Sequence, residues 1–144
     1  KQLSLEIEVD LCDPKVANDS NRLRQVITNL LSNAIKFTDS GLVKITAKAV
    51  SADQIEITVA DSGIGIAAEN ISHIFNAFHQ VDQTISRKHQ GTGLGLAITH
   101  LLIEMMQGTI SVDSTLGEGS QFHVRIPRHV QPSHTVSVAP QLSR

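Results

Sequence analysis

The sequence has almost no cysteine, no long apolar run and no excess of one charge. Its only cysteine, Cys12, cannot form an internal disulfide, which favours a reducing cytoplasm. No segment reaches the roughly 18 apolar residues of a membrane-spanning helix, and the first residues lack the pattern of a signal peptide. The 12 lysines and arginines stand against 14 aspartates and glutamates, a formal net charge of −2. Without a basic stripe, the chain is not expected to bind nucleic acid.

The 144 residues, 40% of them hydrophobic and 18% charged, suit one globular domain with a single core. We expect this domain to occupy residues 1–127. Beyond Pro127 the apolar periodicity ends and two further prolines follow, which predicts a linker or tail over 128–144.

Hydrophobic periodicity predicts an α+β fold. Strands and helices follow one another without strict alternation, which favours a two-layer sandwich: a mixed sheet of about five strands, covered on one face by three helices. The first predicted elements are a half-buried strand over Leu3–Val9, a helix at about 20–37, and an antiparallel pair of strands at 43–49 and 55–59. A short helix carrying Ile71, Ile74, Phe75 and Phe78 follows, and then a helix through Ile98 and Met105. The last element is a hairpin that pairs Ile110 and Val112 with Phe122, Val124 and Ile126.

The first predicted helix carries Asn29, Asn33 and Lys36 at the spacing i, i+4 and i+7, along one edge of its apolar stripe. Two amide oxygens one turn apart, followed by a cation, suit a hydrated Mg²⁺ and the phosphates it carries. The alternative is a surface helix whose Asn and Lys side chains face water, and this segment alone favours that alternative.

Asp61 stands where a strand ends and a glycine turn begins. An ionised carboxylate only accepts hydrogen bonds, so it suits the amino group of adenine and repels the carbonyl that guanine has at the equivalent position. Gly63 and Gly65 let the backbone turn sharply and lie close to a flat ring. Taken alone, an ordinary Asp-x-Gly turn explains this segment better.

Gly91, Gly93 and Gly95 precede a helix, whose free N–H groups form an anion site. The polar residues 79–90 before them have the composition of a functional loop. The segment lacks the Gly-Lys-Ser/Thr ending of a P-loop, and a merely flexible loop is the alternative. Together, however, the three segments offer metal ligands, an adenine acceptor and phosphate donors, and jointly they outweigh the alternatives.

Four motifs in order resemble those of the ATP-binding catalytic domain of sensor histidine kinases, within the GHKL superfamily of gyrase, MutL and Hsp-type chaperones. The resemblance covers nearly all of residues 1–127 and implies the Bergerat ATP-binding fold. The chain departs from the pattern at Gln90 and Gln107, where many members have glycine. The motifs are an asparagine box at 29–37, a first glycine box at 61–65, a phenylalanine box at 74–78 and a second glycine box at 91–96.

The resemblance also implies roles for single residues. Asn33 would be the principal Mg²⁺ ligand with Asn29 assisting, and Lys36 would contact phosphate; these three form the catalytic set. Phe37 would border the adenine and Asp61 would bind its amino group. Residues 79–92 would form a mobile lid. The remaining nucleotide-binding residues would be Gly63, Gly65, Ile66, Phe75, Arg87, Lys88, Gly91, Thr92, Gly93, Leu94, Gly95, Leu96 and Ser120.

The function implied is transfer of the γ-phosphoryl group of ATP to a histidine on a separate dimerisation domain, and from there to a receiver domain of a response regulator. None of the seven histidines has the His-Glu/Asp context of the family's phosphoacceptor. We expect a cytoplasmic domain that is monomeric by itself and belongs to a membrane-anchored, homodimeric kinase. Asn29 replaces the glutamate that activates water in hydrolytic relatives. The alternatives are an ATP-binding sensing module without phosphotransfer, or a GHKL-type ATPase or protein-serine kinase.

Overall fold

The computed structural model describes residues 1–13, 15–77 and 94–129. This part of the chain forms one five-stranded sheet with helices packed on it, as the sequence predicts. Its elements are β1 (Gln2–Asp10), α1 (Ser20–Lys36), β2 (Ser40–Ala49), β3 (Gln54–Asp61), α2 (Ala68–Ile71), α3 (Gly95–Met105), β4 (Thr109–Thr115) and β5 (Gly119–Pro127).

The sheet has the strand order β1-β2-β3-β5-β4. β1 runs parallel to β2, and every other neighbouring pair is antiparallel. The hairpins β2–β3 and β4–β5 therefore confirm the predicted antiparallel pairs. Because the β3–β5 contact joins the two hairpins, it lies at the centre of the sheet.

Helix α1 begins and ends where its sequence predicts. The Asp19 side chain caps it by accepting hydrogen bonds from the backbone N–H groups of Asn21 and Arg22, both at 3.0 Å. Val26, Leu30 and Ala34 are buried on one face, so the predicted apolar stripe is the face that contacts the core. This orientation leaves the polar edge of the helix beside that stripe.

The core lies between α1, α3 and one face of the sheet. Side chains alternate along β3 and β5, and one set from each strand turns towards the helices. The buried core residues are Val26, Leu30, Ala34, Val43, Ile55, Ile57, Val59, Ile74, Ile103, Met106, Phe122, Val124 and Ile126. We call this side of the sheet the helix-facing side and the other its outer face.

Strand β1 is more exposed than its alternation predicts. Leu5, Ile7 and Val9 are 55%, 67% and 61% exposed. β1 is an edge strand that pairs only with β2, while α1 packs over β2 and β3. The prediction of a half-buried strand is therefore wrong for these three side chains, because the described helices pack over the other strands.

The short second helix is also smaller than predicted. Only Ala68–Ile71 is helical, and turns continue from there to Ala77. Ile74 is nevertheless buried and Phe75 half-buried, so the apolar residues pack as expected without a regular helix. Phe78 lies outside the described residues. No helix in the described ranges is both long and apolar enough to cross a membrane.

The described chain continues slightly beyond the last strand. Arg128 donates from its backbone N–H to the carbonyl of Asp53 at 2.7 Å, and from its side chain to that of Asp13 at 2.7 Å. His129 forms an isolated bridge with Ala17. Residues 130–144, most of the predicted tail, lie outside the described residues.

Candidate nucleotide site

The polar edge of α1 lies at the boundary between core and solvent. Asn29, Asn33, Lys36 and Phe37 are all half-buried, which is the placement that their spacing predicts. The Lys36 ammonium lies 5.3 Å from the centroid of the Phe37 ring, close enough for a cation–π contact. The edge therefore holds two amides and an ammonium group near an aromatic ring.

Asp61 ends β3 on the helix-facing side of the sheet. Its Oδ1 accepts a hydrogen bond from the backbone N–H of Gly63 at 2.9 Å. Burial raises the pKa of the Asp61 carboxyl, and backbone N–H groups of Gly63 and Ser120 partly oppose that rise. Among the described residues, no cation forms a salt bridge with this half-buried carboxylate, so its remaining lone pairs stay available for a donor.

The turn after Asp61 depends on glycine at two positions. A Cβ atom on Gly63 would collide with the carbonyl oxygen of Phe37 and approach the Thr38 hydroxyl and Asp61 Oδ1. Gly65 has a φ of +69°, in the left-handed region that glycine adopts without strain. The Asp61–Gly65 turn thus lies directly against the C-terminal end of α1, and it brings the asparagine and first glycine boxes together.

Thr38 adds a polar atom below this turn that the sequence did not single out. It is fully buried, and its hydroxyl has no hydrogen-bond partner within the described ranges. Buried hydroxyls are nearly always paired. The Thr38 hydroxyl therefore has hydrogen-bonding capacity left for a water molecule beside the Asp61 turn.

Ser114 joins the turn to the second hairpin. Its Oγ accepts from the backbone N–H of Ile66 at 2.8 Å and donates to the carbonyl of Gly119 at 2.9 Å. It also lies 2.8 Å from the hydroxyl of Ser120, which is the register partner of Asp61 on β5. The sequence did not indicate a role for Ser114, because its partner Ile66 is 48 residues away. The position of Ser114 at the end of an alternating strand was the available signal.

Helix α3, which begins within the second glycine box, packs against α1. It starts at Gly95, and Leu94 and Leu96 are half-buried at its beginning. Thr99 is fully buried in α3, and its hydroxyl accepts a hydrogen bond from Asn29 Nδ2 at 3.3 Å. Helices α1 and α3 are thus joined by a direct side-chain contact, which no sequence motif predicted.

Phe75 packs between α3 and the sheet. Its ring stacks on His100 at a centroid distance of 5.6 Å and meets Phe122 edge-on at 6.4 Å. The structure thus places Phe75 as a link between the phenylalanine box, α3 and β5. The whole predicted lid, residues 79–92, lies outside the described ranges. So do five predicted nucleotide-binding residues: Arg87, Lys88, Gly91, Thr92 and Gly93.

Two surface cavities lie on β4 and β5. The one of about 260 Å³ is lined by Asp61, Ser114 and Ser120, among others, and belongs to the candidate site. The other, of about 440 Å³, lies on the outer face beside Glu56 and His123. We do not assign it as the functional site, because its charged groups already pair with each other.

These pairs form the outer-face cluster: Lys48, Glu56, Asp113, His123 and Arg125. Arg125 Nε donates to Glu56 Oε2 at 2.7 Å, and Lys48 Nζ lies 3.6 Å from Glu56 Oε1. His123 Nε2 lies 3.0 Å from Asp113 Oδ2. The Arg125 guanidinium holds the pKa of the buried Glu56 carboxyl below its usual range. This cluster has the character of a structural ion-pair network.

The described residues contain no group of three or more His, Cys, Asp or Glu side chains suited to a metal ion. Among the described residues, the oxygen atoms at the candidate site include the amide oxygens of α1 and the carboxylate of Asp61. Of these, the amides of Asn29 and Asn33 lie one turn apart and half-buried. This oxygen-only set fits Mg²⁺, which typically keeps several waters and shares its coordination with phosphates.

Comparison with known proteins gives consistent matches. The family model described as histidine kinase-, DNA gyrase B- and HSP90-like ATPase matches residues 18–130. Sensor histidine kinase RcsC of Escherichia coli K12 is 52% identical over 128 residues, which cover 88% of this chain but 13% of RcsC. The chain therefore spans about an eighth of the length of that relative.

Two solved structures share the fold. Full-length ShkA in complex with AMPPNP aligns with a TM-score of 0.76 and 36% identity, over 87% of this chain and 25% of ShkA. The nucleotide-free catalytic domain of the histidine kinase ThkA aligns with a TM-score of 0.75 and 31% identity, over 89% of this chain and 82% of that one. The architecture described above is thus the one seen in histidine kinase catalytic domains.

Proposed function

The chain belongs to the family of histidine kinase-, DNA gyrase B- and HSP90-like ATPases as the catalytic domain of a protein-histidine kinase, and from this premise we propose its reaction. It binds Mg-ATP and donates the γ-phosphoryl group to a histidine on a separate dimerisation and phosphoacceptor domain. The reaction belongs to two-component signalling.

The observation that carries the proposal is the state of Asp61. This carboxylate is half-buried at a strand end, accepts hydrogen bonds from backbone N–H groups, and has no salt-bridge partner among the described residues. A group desolvated without a counter-charge costs stability unless a ligand uses it. The amino group of adenine is a donor that would satisfy it, whereas the carbonyl of guanine would face it with a second acceptor.

The α1 edge is proposed to hold the phosphate end. Asn33 and Asn29 offer amide oxygens to Mg²⁺, with Asn33 as the principal ligand, and Lys36 contacts phosphate with its ammonium group. When bound, Mg²⁺ neutralises phosphate charge and helps to align the γ-phosphoryl group. The residues themselves contribute position and charge, which is the main protein contribution to phosphoryl transfer.

Asn29 supports transfer over hydrolysis. An amide cannot take a proton from water at neutral pH. In this structure its nitrogen also donates to Thr99, so the side chain is held in place by α3. A domain without a general base at this position suits an acceptor that arrives as a nucleophile, which a neutral histidine imidazole is.

The remaining assignments complete the site. Phe37, Gly63, Gly65, Ile66, Phe75 and Ser120 surround the base, and Leu94, Gly95 and Leu96 place the start of α3 near the phosphates. Residues 79–92 are proposed to close over ATP, with Arg87 and Lys88 as phosphate contacts and Gly91, Thr92 and Gly93 completing the loop.

Partners and location follow from the same proposal. The domain acts on the histidine-bearing domain of its own kinase, and the phosphoryl group passes to a response-regulator receiver domain. The catalytic domain over 1–127 is a cytoplasmic monomer when isolated, 128–144 is a C-terminal linker or tail, and the parent kinase is membrane-anchored and homodimeric.

Labelled ATP tests the reaction. The chain alone should bind ATP, release phosphate slowly and acquire no label. Addition of the histidine-bearing domain in trans should produce acid-labile label on that partner, weakly, because the tether that raises local concentration is missing. Binding with no transfer to any added partner would favour a nucleotide-sensing module. Rapid phosphate release without a partner would favour an ATPase, and acid-stable label on a partner would favour a protein-serine kinase.

A further inference from the structure

Thr99 is a buried hydroxyl that no part of the proposed reaction uses directly. It lies on α3, is 0% exposed, and faces α1. Its Oγ1 donates to the backbone carbonyl of Gly95, one turn earlier in α3, at 2.8 Å. The same oxygen lies 3.3 Å from Asn29 Nδ2.

The chemistry of a hydroxyl fixes the direction of the second hydrogen bond. A threonine hydroxyl has one hydrogen and two lone pairs. Because Gly95 takes the hydrogen, the oxygen can only accept from Asn29. The NH₂ end of the Asn29 amide must therefore face Thr99, since the opposite orientation would place two oxygens together without a hydrogen between them.

We propose that Thr99 is a positioning residue that holds the Asn29 amide with its oxygen turned away from α3 and free to serve as a metal ligand. This inference rests on the proposed function, because it assigns a role to Thr99 through the Mg²⁺ ligand Asn29. An unrestrained amide can rotate and present its NH₂ group, which cannot coordinate a cation. Thr99 acts on the orientation of the ligand and makes no contact with nucleotide.

A role through orientation predicts a selective effect on the metal. Residues that orient metal ligands typically contribute about 10- to 100-fold to metal affinity. Thr99→Val keeps the shape of the side chain and removes the hydroxyl, so we expect Mg²⁺ affinity of the ADP complex to fall by about tenfold. ADP affinity without Mg²⁺ should change by less than about twofold, because Asn29 reaches nucleotide through the metal. Thr99→Ser keeps the hydroxyl and should restore wild-type behaviour.

Calorimetric titration of ADP with and without Mg²⁺ provides the test, on the wild type, Thr99→Val and Thr99→Ser. A thermal melt of each variant records whether the fold is intact. If Mg²⁺ changes the ADP affinity of a folded Thr99→Val protein as much as that of the wild type, the proposal is overturned. Equal weakening with and without Mg²⁺, unrescued by serine, would also overturn it by showing a packing role only.

A double-mutant cycle keeps the test decisive if Thr99→Val destabilises the fold. In the background of Asn29→Ala, Thr99→Val should have no further effect on Mg²⁺ affinity, because the group that it orients is absent. Additive effects would contradict the proposal. A wild-type chain that binds ADP without any Mg²⁺ effect would instead overturn the metal assignment of the proposed function itself.

Discussion

Strand β3 carries two carboxylates, five residues apart, whose environments are opposite. Glu56 points to the outer face, where Arg125 and Lys48 surround it and its pKa is lowered. Asp61 points to the helix-facing side, where it accepts from backbone N–H groups and its pKa is raised by burial. The same strand thus holds one carboxylate that pairs with cationic side chains and one that we propose as the acceptor for adenine.

The two regions also differ in how completely their polar groups are paired. In the outer-face cluster every charge meets an opposite charge or a hydrogen-bond partner. Around Asp61, by contrast, the Thr38 hydroxyl is buried without a partner within the described ranges. Buried hydroxyls are usually paired with protein or water. We therefore propose the smaller cavity, which Asp61 lines, as part of the nucleotide site.

Removal of a metal ligand should have the largest effect. Asn33→Ala deletes the amide oxygen proposed as the principal Mg²⁺ ligand, so ADP should bind equally well with and without Mg²⁺, and phosphotransfer should be almost lost. Calorimetry in the two conditions measures this. Ser32→Ala, on an exposed neighbouring position, is the matched control. A persistent Mg²⁺ effect would mean that the metal is held elsewhere.

Neutralisation of Asp61 should weaken ATP binding and leave the fold intact. Asp61→Asn removes a charge-assisted hydrogen bond, which is typically worth about 1.5–3 kcal/mol, so ATP affinity should fall about ten- to hundredfold. The melting temperature without nucleotide should stay equal or rise, because a desolvated charge is removed. Loss of stability with unchanged ATP affinity would reverse the assignment of the two carboxylates.

Neutralisation of Glu56 should have the opposite profile. Glu56→Gln leaves Arg125 without its ionic partner. The free energy of unfolding should fall by only about 1–2 kcal/mol, because solvent screens the charge of the half-exposed Arg125. ATP affinity should not change. Since the folded-state pKa of Glu56 is lowered, its stabilisation is present at neutral pH and lost on acidification, so the wild type and the variant should converge as the pH falls. Denaturant melts at several pH values check this.

Acid should weaken ATP binding through Asp61. The ionised carboxylate is the acceptor, and its raised pKa means that protonation begins at a higher pH than for an ordinary aspartate. Below that pKa, affinity should fall by up to about tenfold per pH unit. Because ATP itself titrates, the informative quantity is the ratio of wild-type to Asp61→Asn affinity, which should decline on acidification. A constant ratio would separate Asp61 from the base.

A backbone change away from both carboxylates should have the smallest effect. Gln107 follows the C-cap of α3 and has a φ of +60°. The Gly108 N–H donates to the carbonyl of Ile103 at 2.9 Å, which forms a Schellman cap. Gln107→Gly should stabilise the domain by about 0.5–1 kcal/mol, because glycine adopts this conformation without strain. Gln107→Ala, as control, should not stabilise it, and ATP affinity should stay constant in both variants.

The sequence was most informative where structure is local. The bounds of α1 and both hairpins depend on neighbouring residues, and these were predicted. The exposure of Leu5 and Ile7 was not, because alternation identifies an apolar face but does not show what covers it.

Contacts between distant residues were not predictable in the same way. Thr99 meets Asn29 across 70 residues, and neither periodicity nor composition indicates that contact. Likewise, Ser114 contacts Ile66 across 48 residues, and this contact became apparent only from the fold.

Calorimetric titration of the wild-type chain with Mg-ATP and Mg-GTP tests most directly whether the Asp61 carboxylate is the acceptor for the amino group of adenine. With Asp61 as an acceptor-only group, ATP should bind at least about tenfold more tightly than GTP, because guanine would bury a carbonyl against the carboxylate. The preference should disappear in Asp61→Asn, whose amide both donates and accepts. Equal affinity of the wild type for ATP and GTP would contradict this assignment.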